Sequence, residues 1–576
     1  MEQPATPTPS QHATSWPLAA GRTTALATMV FVAFACAVAS VAAAGADVAD
    51  AAMRGDLVAV RALIARRADV NAPQGDGATA LHWAVYRGRV DLVEALLKAG
   101  ANPKAANRDG STPLWLASIN GDAAVIRPLL DAGADVNEAL PLGRTPLMAA
   151  ARTGNVDALT LLLDRGASVN AAETLRGTTA LMWAADEGHA DAARVLIRRG
   201  ANVAARSAPA QRGRGPALGK ANDPRKQVAA QGAALAAGRA LDLTQVLAVD
   251  GDGGPRRRTE PSDGGELTPL VYAARANDLD TVKVLLEAGA GINQVTGYGW
   301  SPLLVATQNR YYALAAYLLD HAADPNLPNK GGWTPLYLAT DNRNIENGDY
   351  PVRKADMDHL AFIRLLLDKG ADVNARIKDS TETRTVFTNQ WLDENGATAF
   401  LRASQSGDLE LMNLLLSRGA DPRIATVLGV TALHVASGIG WVEGITYEWS
   451  RQATLDAVRT LLDLGLDVNA QADTGRTALH GAAHKGRADV IQLLADRGAT
   501  LDVRDYGNTD NRGGKLAVHT WQAVDYADGL VRVGVQSAIS HPEAGQLLRK
   551  LMAAKGLPIP PAGRTLESIC ITEACE

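Results

Sequence analysis

The sequence has few aromatic residues, few cysteines and little excess charge. Aromatic residues make up 5% of the 576 residues, so the core has to be built mainly from alanine, leucine and valine. Such a core suits thin layers of helix packed on helix. Three cysteines are too few for a disulfide scaffold or a four-cysteine zinc site. A formal net charge of −5 supplies no bulk attraction to nucleic acid or to an acidic membrane.

The longest uncharged run lies near the amino terminus. Residues 25–44 contain no charged side chain, follow Arg22 and end in three alanines. This pattern favours a cleaved export signal, but the run is also just long enough for an uncleaved membrane anchor. A wrongly assigned start codon is the third reading. We therefore expect residues 1–44 to be a signal peptide or an N-terminal membrane anchor. We expect the mature chain to be periplasmic or secreted, with inner-membrane anchoring as the alternative.

The rest of the chain is repetitive, as a recurring tripeptide of Thr or Ser, Pro or Ala, and an apolar residue indicates. Most copies follow one another at 33 or 34 residues, and three longer intervals indicate insertions. The copies begin at Thr79, Thr112, Thr145, Thr179, Thr268, Ser301, Thr334, Thr398, Thr431 and Thr477. A segment resembling Leu-Leu-x-x-Gly-Ala comes about twenty residues later in most copies, and several copies continue into Asp-Val-Asn.

Each position of the repeat has a physical explanation. The Thr hydroxyl caps a first helix, and Pro follows where a helix needs no N–H donor. A glycine such as Gly121, Gly154 or Gly407 ends that helix, because a left-handed residue costs glycine little. The Leu-Leu pair belongs to a second helix that packs against the next repeat. Each repeat therefore buries its apolar faces only against its neighbours.

These motifs resemble the ankyrin repeat. Residues 110–114 (Gly-Ser-Thr-Pro-Leu) and 475–480 (Gly-Arg-Thr-Ala-Leu-His) follow the family pattern closely. The resemblance covers roughly residues 45–556 and implies an all-α solenoid of about 12 helix-turn-helix repeats with β-turn fingers, interrupted by insertions. It also implies that His82, His434 and His480 are structural and bond the backbone of a neighbouring loop.

The spacing of the repeats divides the chain into segments. We expect a first block of repeats at 45–203, a disordered insertion at 204–266, a second block with a C-terminal cap at 267–556, and a flexible tail at 557–576. Smaller insertions are expected near 341–356, 377–394 and 438–452. The last of these carries Trp441, Tyr447 and Trp449. These aromatic side chains either pack back on the repeats or contact a partner.

No catalytic constellation is present in the sequence. Residues 215–220 are one residue short of a phosphate-binding loop, and neither a G-x-S-x-G nor an H-E-x-x-H motif occurs. His480 and His484 lie four residues apart and could share a metal, but the structural reading of His480 is favoured. Cys570 and Cys575 are expected to form a disulfide in an oxidising compartment. We therefore expect no enzyme activity, no cofactor and no metal.

In ankyrin-like proteins, finger residues and variable positions near the end of the first helix contact the partner. The resemblance thus implies a non-catalytic, monomeric interaction scaffold that binds another protein along a concave surface. It would bind no nucleic acid and would touch a membrane only through residues 25–44. The alternatives are a secreted effector acting on a host protein and an enzyme-linked module with activity in the insertions. Composition and the export signal favour a bacterial source.

The contact positions carried over to this chain lie on the fingers and at the ends of first helices. They are Asp76, Tyr86, Arg87, Arg108, Asp109, Asn120, Arg144, Arg152, Asp186, Glu187, Tyr298, Trp300, Gln308, Lys330, Trp333, Asn342, Gln405, Arg476, His484 and Lys485. Tyr298, Trp300 and Trp333 fall on two adjacent fingers and would form an aromatic hot spot. The alternative is that Trp333 only braces one finger against the next.

Overall fold

A computed structural model describes most of the repeat region. The described residues are 47–209, 265–344, 353–378, 392, 394–442, 446–510, 517–531 and 539–564. The predicted export segment, most of the 204–266 insertion, residues 215–220 and the Cys570–Cys575 pair lie outside them.

The described residues form pairs of short antiparallel helices, as the repeat predicted. The first helices are α1 (Asp47–Arg54), α3 (Ala80–Tyr86), α5 (Pro113–Asn120), α7 (Pro146–Thr153), α9 (Ala180–Asp186), α11 (Pro269–Ala276), α13 (Pro302–Gln308), α15 (Pro335–Arg343), α17 (Ala399–Ser406), α19 (Ala432–Ser437), α21 (Ala478–His484) and α23 (Ala523–Ala527). The second helices are α2 (Leu57–Ala65), α4 (Val90–Lys98), α6 (Ala123–Asp131), α8 (Val156–Asp164), α10 (Ala190–Arg198), α12 (Leu279–Glu287), α14 (Tyr312–Asp320), α16 (His359–Asp368), α18 (Leu409–Ser417), α20 (Arg451–Asp463), α22 (Ala488–Asp496) and α24 (Pro542–Ala554).

Local chemistry sets both ends of a first helix. In α5 the Thr112 hydroxyl accepts from the backbone N–H of Trp115 at 3.2 Å, and Pro113 occupies the first turn. Gly121 ends the helix with φ of 65°. After α11, Asn277 takes the same left-handed role with φ of 59°. Asparagine tolerates this conformation better than most residues, which explains the substitution.

The Asn of the Asp-Val-Asn motif and its equivalents tie neighbouring repeats together. Asn170 Nδ2 donates to the carbonyl of Gly200 at 2.9 Å, and the Asn202 N–H donates to Asn170 Oδ1 at 2.8 Å. Asn374 makes the corresponding bonds to Gly419 and Asp421. These side chains satisfy backbone groups at the ends of second helices, which would otherwise lack partners.

The chain divides into two compact units. The N-terminal unit runs to Pro141 and includes Asp164–Gly166, so it contains α1 to α6. The C-terminal unit comprises Leu142–Leu163 and the residues from Ala167 onward. In both units, leucine, valine and alanine side chains from paired helices form the buried core.

The 204–266 insertion leaves the fold at a finger of the C-terminal unit. The Ser207 N–H donates to the Leu267 carbonyl at 2.9 Å, and the Glu266 N–H donates to the Ala208 carbonyl at 3.3 Å. The two ends of the insertion are therefore paired with each other at the base of this finger. Helix α9 packs on α11 and α10 on α12, so the flanking repeats are neighbours.

The C-terminal end adds the one β element of the described residues. Strands β1 (Asn508–Asp510) and β2 (Ala517–His519) pair in an antiparallel hairpin before α23 and α24. Residues 557–564, assigned from sequence to the tail, are held against α24 because Arg549 donates to the carbonyls of Pro560 and Pro561. The fold is otherwise the all-α repeat array that the sequence predicted.

Candidate functional site

The fourth residue after each capping Thr or Ser occupies the same place on each first helix, and its exposure changes along the chain. These surface positions are Trp83, Leu116, Ala149, Trp183, Tyr272, Val305, Leu338, Arg402, Val435 and Gly481. Trp83, Leu116, Trp183 and Val305 are half-buried, while Ala149 and Tyr272 are buried. The last four positions are all buried. Something therefore covers α15, α17, α19 and α21 that does not cover several of the earlier first helices.

In the N-terminal unit, the surface positions belong to an apolar patch that we call the N-terminal open face, formed by Trp83, Tyr86, Leu116 and Ile119. Tyr86 is 65% exposed and Ile119 is 45% exposed. The Trp83 and Tyr86 rings meet edge to face with centroids 5.9 Å apart. Trp83 Nε1 donates to Gln74 Oε1 at 2.6 Å, which fixes the indole. A rigid, half-exposed aromatic pair with aliphatic neighbours is typical of a protein-binding hot spot.

In the C-terminal unit, an aromatic and ionic patch occupies the equivalent place on α7, α9 and α11. This C-terminal open face consists of Arg152, Trp183, Glu187, Tyr272 and Arg275. Arg152 lies over the Trp183 ring at 5.5 Å and pairs with Glu187 at 3.1 Å. Arg275 lies over Tyr272 at 4.8 Å. Arg152 and Arg275 are 63% and 48% exposed, so these charges remain accessible and their ion pairs are weak.

Residues 438–442 and 446–450, which we call the covering segment, contact the ends of α15 and α17 and approach Gly481, the last of the surface positions. Trp449 Nε1 donates to Asn344 Oδ1 at 2.9 Å, and its backbone N–H donates to the Ser406 carbonyl at 3.2 Å. Arg343 lies over the Trp449 ring at 4.6 Å. One segment thus contacts the ends of α15 and α17. Of the two sequence alternatives for Trp449, packing back on the repeats agrees with these contacts.

The covering segment is also held by charge. Glu448 pairs with Lys485 at 3.2 Å and with Arg487 at 2.7 Å, and both basic side chains are 3% exposed. Burial lowers the pKa of Lys485 to about 8, although Glu448 opposes this effect. Burial alone would raise the pKa of Glu448, but Lys485, Thr454 and Arg487 hold it below its usual value. All three charges are retained because they compensate one another.

The sequence provides room for this close approach. Gly481 occupies the last surface position, and a Cβ there would lie 2.7 Å from the backbone nitrogen of Ile439. A Cβ on Gly440 would lie 2.7 Å from Leu392 Cβ, so Leu392 of the preceding insertion also joins the cover. Leu392 and Ile439 are 1% and 2% exposed. The face of α15 to α21 is therefore already occupied by the chain itself.

The structure places the predicted contact residues in two groups. The exposed or half-buried ones are Asp76, Tyr86, Arg87, Arg108, Asp109, Asn120, Arg144, Arg152, Asp186, Glu187, Tyr298, Trp300, Gln308 and Lys330. The buried ones are Trp333, Asn342, Gln405, Arg476, His484 and Lys485. Trp333 packs edge to face on Tyr337 at 4.9 Å, in agreement with the bracing alternative. The covering segment and neighbouring repeats enclose the six buried side chains, so they offer a partner little surface, and partner contact by the exposed group stays a prediction.

Two features of the site escaped the sequence reading. The surface positions, Trp83 and Trp183 among them, were not singled out, although counting four residues from each capping Thr would have found them. The covering segment could not be placed, because nothing in residues 438–450 encodes contacts with Asn344 or Ser406, which lie far away in sequence.

The histidines at the family position are structural, as predicted. His480 Nδ1 bonds the Thr477 hydroxyl at 3.0 Å, and Nε2 bonds the Trp521 carbonyl at 3.2 Å. His82 and His434 make the same pair of contacts. Both ring nitrogens of His480 are engaged, so this side chain is not positioned to share a metal with His484. Within the described ranges, no group of three or more His, Cys, Asp or Glu side chains is arranged to hold a metal, and no helix is long and apolar enough to cross a membrane.

Comparison with known protein families agrees with this architecture. The family model described as ankyrin repeats (3 copies) matches residues 48–140, 133–207, 232–329, 270–377 and 400–505, more than half of the chain. The chain therefore belongs to the ankyrin repeat family. No curated protein matches it. Ankyrin repeats generally mediate protein–protein interaction.

Proposed function

We propose that this chain is a non-catalytic scaffold that binds a partner protein through its N-terminal and C-terminal open faces. One observation supports this proposal most directly. Trp83 and Trp183 are half-exposed, whereas the residues at the equivalent positions of α15, α17, α19 and α21 are buried. A face with half-exposed aromatic residues can bury them against a partner, whereas the covered face has already done so internally. The candidate contacts are thus the residues of the two open faces, of which Tyr86, Arg152 and Glu187 were also predicted from the sequence.

Site-specific photo-crosslinking in the native host tests this proposal. A photoreactive residue replaces Tyr86 or Arg152 on the open faces. Matched controls carry it at Glu94 or Arg198, which are exposed on second helices. The expected result is a crosslinked product containing the same partner from both open-face positions and from neither control. Equal crosslinking from the controls, or none from any position, would overturn the proposal.

We further propose that the protein is exported, which rests on the uncharged run at residues 25–44. The intact mass of the protein recovered from its host, with the cell fraction recorded, tests this idea. A chain beginning near Gly45 and two hydrogens light supports export, cleavage and a Cys570–Cys575 bond. A chain beginning at Met1 in the membrane fraction indicates an anchored scaffold, and one in the cytosol contradicts export.

A further inference from the structure

The fingers of the C-terminal unit are joined into a row by backbone hydrogen bonds. The N–H groups of Thr174 and Ala208 donate to the carbonyls of Leu142 and Arg176 at 2.7 and 2.6 Å. The Lys330 N–H donates to the Tyr298 carbonyl at 2.9 Å. We call residues 142–144, 174–177, 206–208, 297–299 and 329–331 the finger row. The first three fingers and the last two are thus each tied together, and the Gly297 N–H links the two groups by donating at 3.0 Å to the carbonyl of Gly265, which pairs with Pro209. The tips are therefore held in fixed order.

The finger row carries charge of one sign. It contains Arg144, Arg176, Arg206 and Lys330 and no acidic residue. Arg176, Arg206 and Lys330 are exposed. The row is therefore positively charged, whereas the whole chain has a formal net charge of −5. A local field of this kind attracts and orients a ligand of opposite charge.

Two acidic residues, Glu173 and Glu266, flank the row and do little to neutralise Arg176 and Arg206. Glu173 is 5% exposed and accepts from the backbone N–H groups of Leu175 and Arg176 and from the Thr178 hydroxyl. Although burial alone would raise the pKa of Glu173, these donors hold it below its usual value. The carboxylate of Glu173 is therefore engaged by groups of its own finger and is not directed at the basic side chains of the row. Glu266 pairs with Arg206 at 3.5 Å. The Arg206 side chain is 42% exposed, so this ion pair neutralises its charge only in part.

Two tips of the finger row present leucine to solvent. Leu142 is 49% exposed and Leu175 is 61% exposed, and the two lie on hydrogen-bonded fingers. Leu142 also has φ of 73°, a left-handed conformation that a leucine rarely adopts. A strained backbone that displays an apolar side chain is characteristic of a binding site, because neither feature benefits the isolated fold.

We propose that the finger row binds an extended, acidic segment of the partner protein that carries apolar side chains, which contact Leu142 and Leu175. This inference rests on the proposed function and specifies the class of partner. Nucleic-acid sites add stacking on exposed aromatic rings to basic charge. In the finger row the exposed apolar side chains are Leu142 and Leu175, while Tyr298 is half-buried, and this favours a peptide. The carboxylates of the segment would pair with Arg144, Arg176, Arg206 and Lys330, and its apolar side chains would cover the leucines.

Fluorescence anisotropy with the full chain and labelled synthetic peptides tests the proposal. The probe is a peptide of about 16 residues, rich in glutamate and carrying two leucines. Its controls lack the leucines or carry lysine in place of glutamate, and a single-stranded oligonucleotide of matched charge is the last probe. We expect the glutamate–leucine peptide to bind, more weakly at high salt, and the lysine peptide not to bind.

Variants of the finger row make the result specific. The double substitution Arg144→Glu and Arg176→Glu should weaken peptide binding about tenfold or more. The single substitution Arg176→Gln should weaken it less, and Arg198→Glu, an exposed charge reversal on α10, should leave it unchanged. Leu142→Gly should weaken binding of the leucine-containing peptide only. Equal binding of the lysine peptide, stronger binding of the oligonucleotide, or insensitivity to the finger variants would overturn the proposal.

The same double variant separates this inference from the proposed function. If it loses the acidic peptide but keeps the crosslinks from the Tyr86 and Arg152 positions, both proposals stand and the fingers add a second contact. If no peptide binds and the crosslinks persist, the finger proposal is wrong and partner binding by the open faces remains. If both fail in the unmodified chain, the proposed function is wrong as well.

Discussion

Leu142 is an exposed residue whose backbone conformation costs the fold stability. Leu142 sits with φ of 73° at a fingertip, where its side chain is 49% exposed. The left-handed region costs a non-glycine residue roughly 1–2 kcal/mol. Because the Leu142 side chain is half exposed, its burial within the chain offsets little of this free-energy cost.

Leu142→Gly should therefore stabilise the C-terminal unit by about 1 kcal/mol, because glycine adopts this conformation without strain. Leu175→Gly is the matched control, since Leu175 is also an exposed fingertip leucine but is not among the described residues with positive φ. There glycine should destabilise the fold by roughly 0.5–1 kcal/mol through chain entropy. Urea unfolding of both variants measures the difference. Parallel shifts in the two variants would contradict the assignment of strain to Leu142.

Buried histidines at the family position make stability depend on pH. Burial lowers the pKa of His434 to about 4, against the raising effect of backbone contacts with Arg476 and Ala470; His480 lowers it further and Asp467 raises it. In the unfolded chain the pKa of this histidine is about 6.5. Between these values the unfolded state holds more protons, so stability falls as the pH falls through this window.

The urea midpoint should therefore be lower at pH 5 than at pH 7, with His434 contributing on the order of 2 kcal/mol to the difference. His434→Gln removes this titration and should reduce the gap between the two midpoints, although it also lowers stability at pH 7 by disturbing the cap at Thr431. His321→Gln, an exposed position, should keep the wild-type gap. A gap unchanged by His434→Gln would show that other groups carry the acid sensitivity.

Among the helices, α21 shows most clearly how the sequence accommodates the covering segment, because it contains Gly481. A glycine inside a helix costs about 1 kcal/mol relative to alanine, so Gly481 is unfavourable for α21 itself. The close approach of Ile439 explains why it is present.

Gly481→Ala should destabilise the protein by roughly 1–3 kcal/mol, because the added Cβ would lie 2.7 Å from a backbone atom. Gly545→Ala in α24 is the control, since its nearest neighbours are the ends of the flexible Asp528 and Arg549 side chains. That substitution should be neutral or stabilising. Thermal unfolding distinguishes the two, and a stabilised Gly481→Ala variant would mean that the covering segment does not occupy this face.

The elements predicted from sequence are those that repeat. The capping Thr112, the left-handed Gly121 and the structural His480 each depend on neighbours within one or two repeats, so their roles follow from spacing. The burial of Lys485 and the backbone contact of Ser406 depend instead on Glu448 and Trp449, which lie in an insertion without periodicity. The placement of residues on the repeats was therefore predictable, whereas their burial under the covering segment required contacts between distant residues.

At the scale of the whole molecule, the covering segment changes how the repeats share stability. In an uninterrupted array each repeat contacts only its neighbours, and protection varies from repeat to repeat. Here Trp449 reaches Asn344, 105 residues away in sequence, and Glu448 reaches Lys485. The helices from α15 to α21 are thus linked through one segment as well as through their neighbours. Equilibrium unfolding of the full chain should accordingly be broad or proceed in several steps, with these repeats forming one cooperative step.

Hydrogen exchange followed by mass spectrometry tests this cooperativity. In the unmodified chain, amides of α15, α17, α19 and α21 should open with one shared free energy. Trp449→Ala removes the contacts with Arg343 and Asn344, so α15 and α17 should then exchange faster than α21 and the shared value should split. Trp183→Ala on the C-terminal open face should affect only α9 and adjacent helices. If Trp449→Ala changes protection within residues 446–450 alone, the segment covers these repeats without coupling them, and the array unfolds by nearest-neighbour contacts throughout.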